Sequence, residues 1–123
     1  MNKFVKKARH GFTLVEIMIV VLIIGILLAI AVPNFIKARE TSRGKACQAN
    51  LKQVDSAKEQ YAMDNRLANG SAISGGMGDL VGSDKYIKAT PVCPSNGTYA
   101  VGNVGVDPTC AYQATSTAHK LSP

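Results

Sequence analysis

Residues 9–36 read RHGFTLVEIMIVVLIIGILLAIAVPNFI, and this stretch decides the architecture. From Ile17 to Ile36 there are 20 positions without a charged side chain. As a helix they rise about 30 Å, the thickness of a bilayer core. Lys3, Lys6, Lys7 and Arg9 precede the run, as in a secretory signal. A secretory apolar core is shorter, however, and ends in a small-residue cleavage site. Here the run continues through Ala31-Val32-Pro33-Asn34-Phe35-Ile36 into a charged segment, so the apolar part is expected to stay with the protein. Glu16 is the anomaly. It sits among Phe12, Leu14, Val15 and Ile17, where an acid is costly unless it lies near an interface or meets a partner.

Beyond Pro33 the sequence KARETSRGKACQANLKQVDSAKEQYAMDN stays helix-friendly to about Asn65. Cys47, Leu51, Val54, Ala57 and Tyr61 recur at helical spacing and define one apolar face, with Lys37, Arg43, Lys52, Lys58 and Glu59 expected mostly elsewhere. The reading is one long helix from about residue 13 to 65, apolar all round in its first half and amphipathic in its second. Gly25 lowers helix stability, Pro33 removes a donor, and Gly44 is a further weak point.

The remaining sequence is polar and Gly-rich, so a domain this small needs help to hold together. The 70–78 segment GSAISGGMG reads as a loop, and DLVGSDKYIK (79–88) as a short helix or turn whose Leu80, Val81, Tyr86 and Ile87 pack on the spine. Thr98 to Val101 reads as a strand, Val104 to Val106 as its partner, and Cys110 to Gln113 as a third candidate. Three cysteines allow three single pairings. We expect Cys93–Cys110, which closes a turn-rich loop, with Cys47 a buried free thiol on the helix face. A bond there would contribute about 3 kcal/mol by constraining the unfolded chain. It would also place this part of the chain in an oxidising compartment, which matters because basic residues flank the apolar run on both sides and leave its orientation open. A metal site at Cys47, Cys93, Cys110 and His119 is not expected, because no two of them stand at paired ligand spacing. His119 reads as a surface residue, the tail ATSTAHKLSP as mobile, and Asp79, Asp84 and Asp107 as solvated loop acids rather than a calcium site. The fold class is therefore α+β: a long helical spine with a small, disulfide-closed antiparallel β head.

The string Arg9-His10-Gly11-Phe12-Thr13-Leu14-Val15-Glu16 resembles the prepilin cleavage site of the type IV pilins and type II secretion pseudopilins. Gly25 and Pro33 match that family's helix-weakening positions. The resemblance is strong over residues 9 to 36; the Cys93-Pro94-x-x-Gly97-x-Tyr99 and Pro108-x-Cys110 segments also resemble the heads of some small members. It implies that prepilin peptidase, a membrane aspartic peptidase, cuts between Gly11 and Phe12 and that the new amine of Phe12 is methylated. It further implies that Glu16 meets the Phe12 amine of a neighbouring subunit during filament assembly. Two unit charges about 4 Å apart attract by roughly 4 kcal/mol at an effective dielectric near 20, comparable to the cost of holding an acid in lipid. The spacing itself would also allow pairing within one subunit.

On this reading residues 1–11 are a cleaved leader, 12–36 a transmembrane and filament-core helix, 37–66 an amphipathic helix and 67–123 the head. The expected partners are copies of the chain in a homo-oligomeric filament, the peptidase, the inner membrane, and a pilus or secretion assembly platform. The head would face the periplasm before assembly and the cell surface or periplasm afterwards. The alternatives within the family are a type II secretion pseudopilin and a minor pilin that binds DNA for uptake. Nucleic acid is not the expected partner: the net charge of +6 comes mostly from the leader, and removing it leaves ten basic against eight acidic side chains. No catalytic set or phosphate loop is legible, so neither an enzyme nor a cofactor is expected.

Overall fold

The computed structural model describes residues 9–121. Lys3, Lys6 and Lys7 lie outside that range, as does most of the leader. The chain divides into two compact units at the Ile36–Lys37 junction.

Helix α1 runs from Leu14 to Asp64, close to the bounds expected from the sequence. Thr13 caps it: its Oγ1 accepts the Glu16 backbone N–H at 3.2 Å, satisfying one of the donors that every helix start leaves open. Gly25 and Pro33 both lie inside the helix. In the first unit every described side chain is exposed, including Phe12, Leu14 and the whole Ile17–Ile36 run. An apolar surface of this size is stable only in lipid or against other protein. The helix is long and apolar enough to cross a bilayer.

The far end of α1 stops without glycine. Leu67 N–H returns to the Ala62 carbonyl at 2.9 Å and Arg66 N–H to Met63 at 3.3 Å, with Arg66 in the left-handed region at φ 52°. This is a Schellman closure. Leu67 then packs on the core, supplying the hydrophobic contact that accompanies such a closure.

In the second unit the apolar face read from the sequence is the buried face. Cys47, Leu51 and Val54 are fully buried, and Ala57 nearly so. Val54, Ala57 and Ala62 join Ile73, Leu80, Ile87, Val101 and Val104 in one core, with Tyr61, Val81 and Tyr86 at its edge. A short helix α2, Met77–Leu80, places Leu80 in that core. The sheet is smaller than expected and differently paired. Strand β1 (Tyr99–Ala100) runs antiparallel to β2 (Thr109–Cys110), with Tyr99 opposite Cys110. Val104 instead bonds across to the 70–71 loop, through Gly70 N–H to its carbonyl and its own N–H to the Ser71 carbonyl. Gly102 and Gly105, at φ 70° and 80°, turn the chain away from hairpin pairing. Residues 111–114 form a 3-10 turn rather than a third strand, because the chain bends immediately after Cys110.

Two further expectations are corrected. The tail forms a second 3-10 turn, Thr117–His119, and His119 is fully buried rather than solvated. Gly44 makes this docking possible. A Cβ there would stand 2.6 Å from the Ala118 Cβ, while Gln48 Nε2 donates to the Ala118 carbonyl at 3.1 Å.

Lys58 is the second correction, since its side chain is fully buried on the core side of the helix. Its ammonium donates to the carbonyls of Val101 and Val106 and pairs with Asp55 at 3.1 Å. It thus satisfies the turn that has no ladder partner. Asp55 is partly exposed, so removing Lys58 strands the carbonyls more than the acid. Lys58→Met is expected to cost about 2–3 kcal/mol, read as a lower denaturation midpoint with unchanged slope on the full chain in detergent. An unchanged midpoint would show that those carbonyls find other partners.

Candidate functional site

In the first unit, Gly11, Phe12 and Glu16 lie at the entrance to α1. Gly11 is exposed and precedes the helix, and a Cβ built on it meets nothing within 4 Å. Phe12 is 80% exposed, so neither side of the Gly11–Phe12 bond is held in a core. Glu16 is the third residue of α1, where a carboxylate is favoured by the helix dipole. Thr13 and Glu16 stand at the spacing of a capping box. Sequence reasoning passed over Thr13 as a structural residue, although Thr-x-x-Glu before an apolar run is a legible signal.

In the second unit the structure gathers four residues that the sequence keeps apart. Cys47 comes from α1, Cys93 from the loop before β1, Cys110 from the end of β2 and His119 from the last 3-10 turn. All four are buried, and their ligand-capable atoms lie within 4.8 Å of one another. The expected Cys93–Cys110 disulfide is not formed: all three thiols are unbonded. Each sulfur points into a cluster of four rather than toward a single partner. The tie-break that the disulfide supplied for the orientation of the chain falls with it.

The surroundings of the cluster are ordered around it. His119 Nε2 faces Glu40 Oε1 at 3.3 Å, and its Nδ1 faces Cys93 Sγ at 3.6 Å. Donation of Nε2–H to the carboxylate leaves Nδ1 with its lone pair on the cysteine side. The Tyr99 hydroxyl donates to Cys47 Sγ at 3.5 Å, and Asn50 donates to the Tyr99 oxygen at 3.1 Å. The Tyr112 ring lies edge-on to His119 with centroids 4.6 Å apart. Asn96 adopts φ 60° and returns its N–H to the Cys93 carbonyl, bending the Cys93–Gly97 segment into a tight knuckle. At its end Gly97 has no alternative residue: a Cβ would stand 2.5 Å from Cys110 Sγ and 2.9 Å from the Tyr112 Cβ.

The thiols are not equivalent. Burial, with the Cys110 and Cys93 thiols adding to it and the Tyr99 hydroxyl opposing, pushes Cys47 up to about 12. Burial also works against the Cys93 thiolate, but the backbone N–H groups of Ser95 and Gly97 and the neighbouring thiols outweigh it and bring Cys93 down to about 7. Burial, then the Cys47 neighbour, raises Tyr99 above the ordinary phenol range, which keeps it a donor. The Cys93-Pro94-x-x-Gly97 motif was legible in the sequence; the knuckle it forms and its convergence with Cys47 and His119 were not.

The acids do not form a comparable set. Asp79 and Asp84 line a surface cleft with Asp64, Tyr61 and Tyr86, and Asp107 is not among the lining residues. Asp79 accepts from Gly75 N–H and the Tyr61 hydroxyl, and Asp64 from the Tyr86 hydroxyl, so both act as structural acceptors.

Residues 6–32 match the family model described as the prokaryotic N-terminal methylation motif. Competence protein ComGC of Bacillus subtilis is 36% identical over 85 residues, covering 69% of this chain and 81% of that protein. The ComG operon protein 3 homolog of Bacillus licheniformis is 30% identical over 95 residues, 76% of this chain and 90% of that protein. The type IV major pilin protein PilA of Myxococcus xanthus is 53% identical over 52 residues, but these are only 24% of its length. No solved structure matches the chain significantly. A cleavage-type string heading an exposed apolar helix, and similarity that runs through most of two small relatives, place this chain in the type IV pilin and pseudopilin family with the N-terminal methylation motif.

Proposed function

We propose that this chain is a structural subunit of a type IV pilus or pilus-like filament. The carrying observation is the Gly11-Phe12-Thr13-Leu14-Val15-Glu16 string at the head of a helix whose 20 charge-free positions are exposed on every side. Cleavage after Gly11 exposes an α-amine on Phe12 that is mostly charged near neutral pH. Methylation leaves it a cation. The apolar helix holds the processed subunit in the inner membrane and then packs with its copies as the filament core. Glu16 pairs with the Phe12 amine of a neighbour and so rewards docking. Gly25 and Pro33 are the positions where the helix can loosen as it leaves the bilayer. The head, on the family's pattern, lies on the periplasmic side before assembly.

A pseudopilin is the second reading. Type II secretion system core protein G of Escherichia coli is 28% identical over 109 residues, which are 79% of this chain and 74% of that protein, so the similarity is not confined to the leader and the apolar helix. Both readings require the same maturation.

Mass spectrometry of the chain recovered from cells should show a mature form beginning at N-methylated Phe12 and present in sheared or pelleted filaments. A chain that keeps its leader and never pellets would overturn the proposal. Loss of long surface filaments on deletion, with secretion intact, supports the pilus; a secretion defect without such filaments supports the pseudopilin.

A further inference from the structure

We propose that Cys47, Cys93, Cys110 and His119 bind one Zn²⁺ ion in a closed Cys3His site that staples the head to the spine helix. The inference does not depend on which filament the chain joins, or on whether it joins one.

The donor set is that of a structural zinc centre: three sulfurs and one imidazole nitrogen, with no position left for water. All four residues are buried and their ligand atoms lie within 4.8 Å of one another. Ligand atoms about 2.0–2.3 Å from a tetrahedral ion stand about 3.5–3.8 Å apart. The Cys93 Sγ to His119 Nδ1 separation, 3.6 Å, already has that value. The widest separation needs to contract by about an ångström, which side-chain rotation supplies. Among the described residues no other His, Cys, Asp or Glu group is as close.

The outer contacts are those that a metal centre requires. Glu40 holds the far nitrogen of His119 and thereby presents Nδ1 to the sulfurs. The Ser95 and Gly97 amides turn toward Cys93 Sγ, and the Tyr99 hydroxyl toward Cys47 Sγ. Gly97 lacks the Cβ that would collide with Cys110 Sγ. Binding releases one proton from each thiol and leaves a site of net charge −1, which those N–H and O–H donors offset. The soft, thiolate-rich set favours Zn²⁺ over calcium or magnesium. A merely packed trio of thiols would explain the burial. It would not explain why a carboxylate-oriented imidazole nitrogen faces them.

The test uses the full chain, purified in detergent under reducing conditions and reconstituted with Zn²⁺. Elemental analysis should give one zinc per chain after removal of loosely held metal. Cys110→Ser and His119→Ala should each lower that by at least about tenfold. His119→Cys should keep the metal, a rescue that no packing role for the imidazole predicts. Because a variant can also fail by misfolding, the wild type carries two further readouts. Co²⁺ loading should give thiolate-to-cobalt charge transfer and the intense ligand-field bands of a tetrahedral site. All three thiols should resist alkylation until a chelator is added. The proposal is overturned if the reconstituted wild type retains no metal, if cobalt shows no thiolate bands, or if the chain taken from cells without reductant, its free thiols blocked at lysis, is two hydrogens light with Cys93 joined to Cys110.

Discussion

Glu16→Gln is expected to abolish filament formation while leaving cleavage and membrane insertion intact. On the proposed assembly contact Glu16 has two separable roles. As the third residue of α1 it occupies the capping-box position opposite Thr13, whose Oγ1 accepts the Glu16 N–H. Glutamine serves that position as well, and the backbone contact does not use the side chain. Only the charge is lost, and with it the proposed attraction to the Phe12 amine of a neighbour. A loss of about 1.4 kcal/mol is tenfold in an equilibrium constant, and each added subunit makes the contact once. Processed monomer should therefore accumulate in the membrane and sheared filament should fall by at least about tenfold. Glu16→Ala should behave alike. Normal filaments from Glu16→Gln, with an assembly defect confined to Thr13→Ala, would assign the position to helix capping alone.

Gly11→Leu is expected to leave the leader uncut. A Cβ at position 11 meets nothing within 4 Å, and the position is exposed ahead of α1, so the effect is not expected to come from disturbing the fold. On the proposed maturation it acts on the peptidase, which must accommodate the residue before the cut. The uncut chain keeps the four basic side chains ahead of Gly11 and has no amine on Phe12 to pair with Glu16. Intact mass should then correspond to the full-length precursor, with no filament recovered. A mature Phe12 terminus from this variant would place the determinant of cleavage elsewhere.

The legible parts of this protein are those whose cause is local. The span of α1 follows from an apolar run, a Thr cap and the recurrence of Cys47, Leu51, Val54, Ala57 and Tyr61 on one face. Leu80 and Ile87 read as core residues for the same reason: apolar side chains in a polar segment have one place to go. Lys58 misled, because a long side chain on the buried face can carry its charge to backbone carbonyls that no periodicity reveals. The 104–106 strand misled because Gly102 and Gly105 divert the chain to the 70–71 loop, a choice made by distant partners.

By itself, then, the sequence determined the helix, its apolar and amphipathic halves, the Gly11–Phe12 string within the N-terminal methylation motif and the isolation of Glu16. Each is written in neighbouring residues or at helical spacing. Only the tertiary structure decided the fate of the cysteines. The turn-rich segment between them, with Cys47 on a helix, pointed to a Cys93–Cys110 pair, whereas the fold brings a helix face, a knuckle, a strand end and a tail turn to one point. Those four residues share no spacing rule, since the path between them is set by packing on the helix and not by the chain that joins them.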